Sequence, residues 1–291
     1  MHILENEALR LEIADRGAEL SRVWDKEEGC ERLWSADPAV WNRHAPILFP
    51  FVGKVIDGKY RLDGREYEMK TQHGFARDLD FVCLEEGPRS LSQLLCADEK
   101  TKTVYPFDFR LLVRHRLDET NPRLLHVEWE VRNAGNETMY YSIGGHPGLL
   151  PPEGVKKEDC FLGFPGQERL RYISADPAGF ALPDKLHELS LRNGLAPYGA
   201  TLPETWIFED GQVPAVQLVR PDGRPWVSLC CEDFPILAVW ANAAGPFVCL
   251  EPWCGRCDDI GFTGELPEKV CEEHLAPGAT KRIAYTVEFH R

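Results

Sequence analysis

Four short stretches display polar residues where a strand-like run is broken by glycine or proline. They are Gly53-Lys54, Gln72-His73-Gly74 with Arg77, Gly145-His146-Pro147, and Glu251-Pro252-Trp253. Glu251 interrupts the apolar run Phe247-Val248-Cys249-Leu250. Such a run reads as a buried strand, and Pro252, which cannot donate to a ladder, is expected to end it. Burial raises a carboxyl pKa, and a Glu moved toward neutrality makes a good general base. His146 and His73 are candidates for acid or base, because imidazole titrates at about 6.5 when unperturbed. Trp253 beside the carboxylate suits a sugar, which offers hydroxyls at its rim and C–H groups on its face. Lys54 and Arg77 add two cations. Each residue also has a plainer reading: Glu251 as a partner for a loop backbone, the histidines as satisfied polar side chains, Lys54 and Arg77 as solvated or paired with Asp57 and Asp78.

Other chemistries find less support. No Gly-x-Ser-x-Gly elbow is present for a serine hydrolase, and no Gly-x-x-x-x-Gly-Lys-Ser/Thr loop for a phosphate. The two histidines and Glu251 do not sit at the short spacings usual for metal ligands, so no metal or other cofactor is expected. Trp253-Cys254-Gly255-Arg256-Cys257 looks like a thioredoxin-type motif. That motif needs its first cysteine to open a helix after a strand. Here Pro252 precedes it and an acidic loop with Gly261 and Gly264 follows. The ten cysteines are scattered, several of them in apolar runs. The first residues, Met1 to Glu7, are polar and acidic rather than a secretory signal. Together these features predict reduced thiols in a cytoplasmic protein.

The elements that must position these groups are strands. Leu9 to Ile13 and Glu19 to Asp25 alternate apolar and polar residues, and Gly17 between them fits a turn. Asp63-Gly64 marks a hairpin over Lys59 to Met69. Further strands are expected over 79–85, 91–97, 107–116, 124–132, 168–173, 206–208, 215–219, 226–231, 236–240 and 282–289. A short helix fits 35–46, residues 150–200 are rich in Pro, Gly and charge with weaker strand patterns, and 262–279 read as a loop. The pattern is all-β: one domain over residues 1–291, built as a large antiparallel β-sandwich. With 43% hydrophobic residues the chain can fill a large core. A net charge of −14 and the lack of a basic stripe argue against nucleic acid or an anionic membrane as partner. No apolar run reaches the length of a membrane span. The expected partner is a small-molecule sugar; oligomeric state cannot be read from the sequence.

Taken together, Phe49-Pro50-x-x-Gly53-Lys54, Gly58-Lys59-Tyr60, His73-Gly74-Phe75-Ala76-Arg77-Asp78, Gly144-Gly145-His146-Pro147 and Leu250-Glu251-Pro252-Trp253 resemble the aldose 1-epimerase (mutarotase) family, in the branch typified by the LacX protein. The order and spacing match from about residue 9 to residue 288. The resemblance implies a galactose-mutarotase-like supersandwich with an open cleft, and interconversion of the α and β anomers of a free aldose. It implies Glu251 as the base that takes the C1 hydroxyl proton and His146 as the acid that protonates the ring oxygen. His73 would hold a sugar oxygen and share the acid role. Lys54, Arg77, Glu204 and Trp253 would bind substrate. Two departures stand out. Lys54 replaces the family's usual arginine, losing the bidentate fork. The family's aspartate before the strand at Trp206 has Glu204, one methylene longer, as its nearest match. Two alternatives stay open: a non-catalytic sugar-binding or sensing protein on the same fold, and a mutarotase of hexose phosphates.

Overall fold

The computed structural model describes residues 1–197 and 205–291. Two large, mainly antiparallel sheets carry the structure. One has nine strands in the order Leu195–Pro197, Phe161–Gly163, Ala215–Val219, Pro225–Cys230, Thr280–Phe289, Leu124–Asn133, Phe109–Leu117, Ser90–Cys96, Val82–Glu86. The other runs Ala181–Ser190, Arg169–Ala175, Trp206–Phe208, Ile236–Trp240, Val248–Cys254, Ile143–Gly145, Ile47–Leu48. Gly148–Leu149 also pairs with Val248–Cys254, off that path. A four-stranded sheet, His2–Glu5 to Cys30–Glu31, and the hairpin Lys59–Leu62 with Arg65–Glu68 complete the main features. The fold expected from the alternating patterns is the one observed: a β-sandwich. No helix among the described residues is long and apolar enough to cross a membrane.

The core follows from strand periodicity. Phe109–Leu117 and Leu124–Asn133 bury alternate residues, so one face of each meets the interior. Leu111, Val113, Trp129, Ile283 and Val287 from the nine-stranded sheet share one cluster with Trp206, Phe208, Leu237, Val239 and Leu250 from the other. That is face-to-face sheet packing. Val248–Cys254 is buried at all seven positions, because its second face is covered as well. On that second face Leu48, Ile207, Ile236, Ala238 and Trp253 form a separate apolar layer. Glu251, two residues before Trp253 on one strand, shares this face.

Two expectations are corrected. Pro252 does not end its strand, which continues to Cys254. Ile236–Trp240 supports that strand on one side from Cys249 to Trp253. On the other side its partners pair only near its two ends, at Trp253 and Cys254 and at Val248 and Cys249. Pro252 falls in the unpaired interval, where proline is tolerated. Residues 35–46 form turns rather than a helix. Within 150–200, Ala181–Ser190 is a ten-residue strand.

Candidate active site

Gly144 pairs with Trp253, and Gly148 pairs with Cys249. Both pairs belong to one antiparallel register, since each partner moves back by the same four residues. His146, midway between, therefore faces Glu251 across the interval where the ladder is open. Residues directly opposite share a sheet face. The result is that His146 Nε2 lies 3.2 Å from Glu251 Oε2. The two atoms are in ion-pair range without hydrogen-bond alignment, and Glu251 Oε2 has no other partner. Glu251 is 1% exposed and His146 7%. Trp41 stacks near His146 with ring centroids 4.9 Å apart, and Trp240 meets it edge-on at 5.5 Å.

His73 comes from a loop clasped to Phe49–Gly53. Its backbone N–H donates to the Gly53 carbonyl at 2.7 Å, and its carbonyl accepts from the Phe49 N–H at 3.2 Å. The Gly53 N–H donates to His73 Nδ1 at 3.0 Å, which puts the ring proton of neutral His73 on Nε2. His73 adopts φ +65°, a left-handed conformation uncommon outside glycine. Gly74 follows at φ +67°, and a β-carbon there would lie 2.3 Å from the Phe49 carbonyl oxygen. The clasp leaves room for glycine alone. It brings the His73 ring to 5.5 Å from that of His146, perpendicular to it.

These groups open onto one cavity of about 530 Å³, in the range of small-molecule sites. Lys54, Arg77 and Trp253 line it with His73, His146 and Glu251, so six of the seven residues singled out in the sequence meet there. Glu204 lies outside the described residues. Lys54 Nζ donates to the Ala178 carbonyl at 2.7 Å. Arg77 Nη2 donates to the Gln72 carbonyl at 2.7 Å, and its Nε, without a hydrogen-bond partner, lies 3.9 Å from Asp78 Oδ2, the ion pair of the plainer reading. Trp253 is held against Gly144, where a β-carbon would come within 2.5 Å of the indole. Sequence reasoning missed Trp41, Trp240, Asp176 and Lys185, which also line the cavity. Trp240 was legible as the end of an apolar strand. Trp41 lies in an irregular segment with no periodic signal.

Burial sets the electrostatics. The Glu251 carboxyl is pushed well above its ordinary pKa by desolvation, opposed in part by the nearby Trp253 indole. His146 is pushed down to about 3 by desolvation and then by the Arg77 charge. His73 is driven well below 6.5 by the same desolvation, with His146, Arg77 and Lys54 adding to it. The expectation of a histidine near its ordinary value is thus corrected: the ring of His146 is enclosed by Trp41, Trp240 and the sheet rather than wet. The thioredoxin-like motif does not have the setting its chemistry needs. Cys254 packs into the inter-sheet core and Cys257 into the cavity-side layer. Both thiols are buried and shifted up by desolvation, Cys257 to about 11. Reactive cysteines require the opposite shift.

The two-sheet antiparallel sandwich is shared with known proteins. The profile of the aldose 1-epimerase family matches residues 1–173, and the chain belongs to that family. The LacX protein of Lactococcus lactis subsp. lactis is 29% identical over 98% of this chain and 97% of its own length. Among solved structures, a galactose mutarotase related enzyme from Lactobacillus acidophilus superposes with a TM-score of 0.92 at 29% identity, covering 100% of this chain and 97% of the other. A galactose mutarotase-like protein from Lactobacillus casei gives 0.88 at 29% identity over the full length of both.

Proposed function

We propose that the protein interconverts the α and β anomers of a free aldose by acid–base ring opening and closure. The observation that carries this reading is the in-register His146–Glu251 pair, 3.2 Å apart in a sugar-sized cavity. Mutarotation moves one proton off the C1 hydroxyl and one onto the ring oxygen. Those two oxygens share C1, so the acid and base that serve them must be close neighbours. Glu251 takes the hydroxyl proton, His146 supplies the ring oxygen, the C1–C2 bond rotates, and the ring closes with the roles reversed. Burial disfavours the charged form of both groups, so near neutrality the pair holds one proton between them. Either placement of that proton leaves one acid and one base. His73, with its proton fixed on Nε2, acts as a hydrogen-bond donor to a sugar oxygen rather than as a second acid. Trp253, Trp41 and Trp240 supply apolar walls for the C–H faces of the ring, and Lys54 and Arg77 donate to hydroxyls. Within the cell this reading fits a cytoplasmic enzyme without a resident cofactor.

Lys54, Arg77 and Lys185 all line the cavity, which supports a second reading in which the aldose carries an anionic group. Polarimetry of freshly dissolved α-D-glucose, α-D-galactose and their 6-phosphates separates the two. Wild type should speed decay to the anomeric equilibrium for at least one of them. Glu251→Gln should lose about 100-fold or more of that rate, the usual contribution of a general base. No acceleration over buffer for any sugar would overturn the proposal and leave a sugar-binding protein, to be tested by calorimetry with the same panel.

A further inference from the structure

Cys249 precedes Glu251 by two residues on one strand, so the two side chains share a sheet face. The face is the one that carries His146. One ring nitrogen of His146, the Cys249 sulfur and a Glu251 carboxylate oxygen all lie within 4.8 Å of one another, and all three residues are buried. Glu251 Oε2 and His146 Nδ1 have no hydrogen-bond partner. A buried carboxyl oxygen without a hydrogen-bond partner is costly, and a cation is one way to relieve it. Thiolate, imidazole and carboxylate are the donors of zinc sites, and three protein donors with a fourth position open is a common arrangement. Zinc holds sulfur at about 2.3 Å and nitrogen at about 2.0 Å, so the three side chains would close on an ion by modest rotations. The charges also balance: a thiolate and a carboxylate neutralise a divalent ion, with the thiol proton and the proton shared by His146 and Glu251 both released to solvent.

We propose that His146, Cys249 and Glu251 form an inhibitory site for a thiophilic divalent cation, for which Zn²⁺ is the probe. The ion reaches the trio through the cavity, whose floor includes His146 and Glu251. Once bound it occupies the lone pairs that would move the proton. The binding claim stands on the three donors alone; the inhibitory claim rests on the mutarotase reading. A second trio, His2, Cys83 and Glu86, is partly exposed and serves as the control. Both ring nitrogens of His2 are already engaged, by Asp15 at 2.7 Å and Glu86 at 2.8 Å.

The test titrates the full chain with Zn²⁺ against a chromophoric chelator, and with Co²⁺ followed by thiolate-to-cobalt absorption. One site is expected in wild type and in Cys83→Ala, weakened at least tenfold in Cys249→Ser and Cys249→Ala. Zinc-edge X-ray absorption on wild type needs no variant to fold. It should show one sulfur with nitrogen and oxygen donors, and two or more sulfurs, or none, would overturn the site. Unchanged affinity in both folded Cys249 variants would overturn it as well. For inhibition, the ratio of polarimetric rates with and without Zn²⁺ is compared between wild type and Cys249→Ser. A wild-type rate cut at least tenfold and restored by chelation is expected, with a smaller cut in the variant. Binding at Cys249 without loss of rate would overturn the inhibitory claim. A protein without mutarotase activity that still binds Zn²⁺ through Cys249 would overturn the inhibitory claim along with the function, and leave the binding claim upheld.

Discussion

Glu251 and His146 sit where burial favours the neutral form of each, and the consequence is a prediction about pH. The acid limb of kcat/KM reports a free-enzyme group that must not be protonated. Adding a second proton to the pair means charging His146, whose pKa is depressed to about 3. Removing the shared proton means ionising Glu251, whose pKa is raised. The pair therefore keeps one proton over a wide interval, and its limbs belong to the pair rather than to either residue. Measured by polarimetry, kcat/KM should stay level from about pH 7 to about pH 5, well below the ordinary imidazole value. A fall with its midpoint at about 6.5 would mean that His146 titrates as if solvated and would sink the assignment. The types of these residues were legible in the sequence. Their pairing was not, because the register of Ile143–Gly145 and Gly148–Leu149 against Val248–Cys254 joins segments about a hundred residues apart.

At the scale of elements, the site depends on a gap in one ladder and a clasp between two loops. The clasp gives the sharper prediction. Gly74→Ala places a β-carbon 2.3 Å from the Phe49 carbonyl oxygen, on a backbone at φ +67°. Left-handed strain costs about 1 kcal/mol and overpacking about 1–3 kcal/mol more. The cheapest relief is to move the 72–76 loop, which carries His73 out of line with the cavity. Thermal melts should fall modestly, while kcat/KM falls by about 100-fold, as expected when a positioning group shifts by about 1 Å. Activity equal to wild type in the folded variant would mean that His73 is not needed where the clasp holds it. The sequence signalled this loop through Gln72-His73-Gly74, since glycine permits close backbone approach. It did not signal Ala181–Ser190, whose middle residues are largely exposed and show no apolar alternation. Nor did it place Pro252, because tolerance of proline inside a strand depends on which neighbour is missing.

Across the whole molecule, one buried charge cluster ties the first sheet to the end of the chain. Asp25 and Arg32 are both fully buried, and Arg32 Nη2 donates to Asp25 Oδ2 at 2.6 Å. Arg123 Nη1 donates to the same oxygen at 2.8 Å and to the Phe289 carbonyl at 3.0 Å. Arg32 also donates to the His290 carbonyl and lies over the Trp226 ring, 3.2 Å from its centroid. Asp25 thus bridges two guanidinium groups that join residues 25, 32, 123 and 289, while Glu27 also accepts from Arg123 Nη2 at 2.7 Å. Removing the Asp25 charge leaves both cations without that partner, a loss of about 3–5 kcal/mol for a buried pair. Asp25→Asn should lower stability by that amount in chemical denaturation at pH 7, far more than the same change at an exposed aspartate. The sign with pH follows from Asp25 itself. Desolvation raises its pKa, but hydrogen bonds from Arg123, the Glu28 backbone and Arg32 outweigh it, and the net shift is down. The folded state therefore binds fewer protons than the unfolded one below the unfolded value of 3.8. The contribution is complete above that value and is lost as the pH falls through the depressed one. The gap between wild type and Asp25→Asn should accordingly be constant from pH 7 to about pH 5 and narrow below about pH 4. A gap that widened on acidification, or one under about 1 kcal/mol at pH 7, would show that the cluster does not hold the two ends of the chain together.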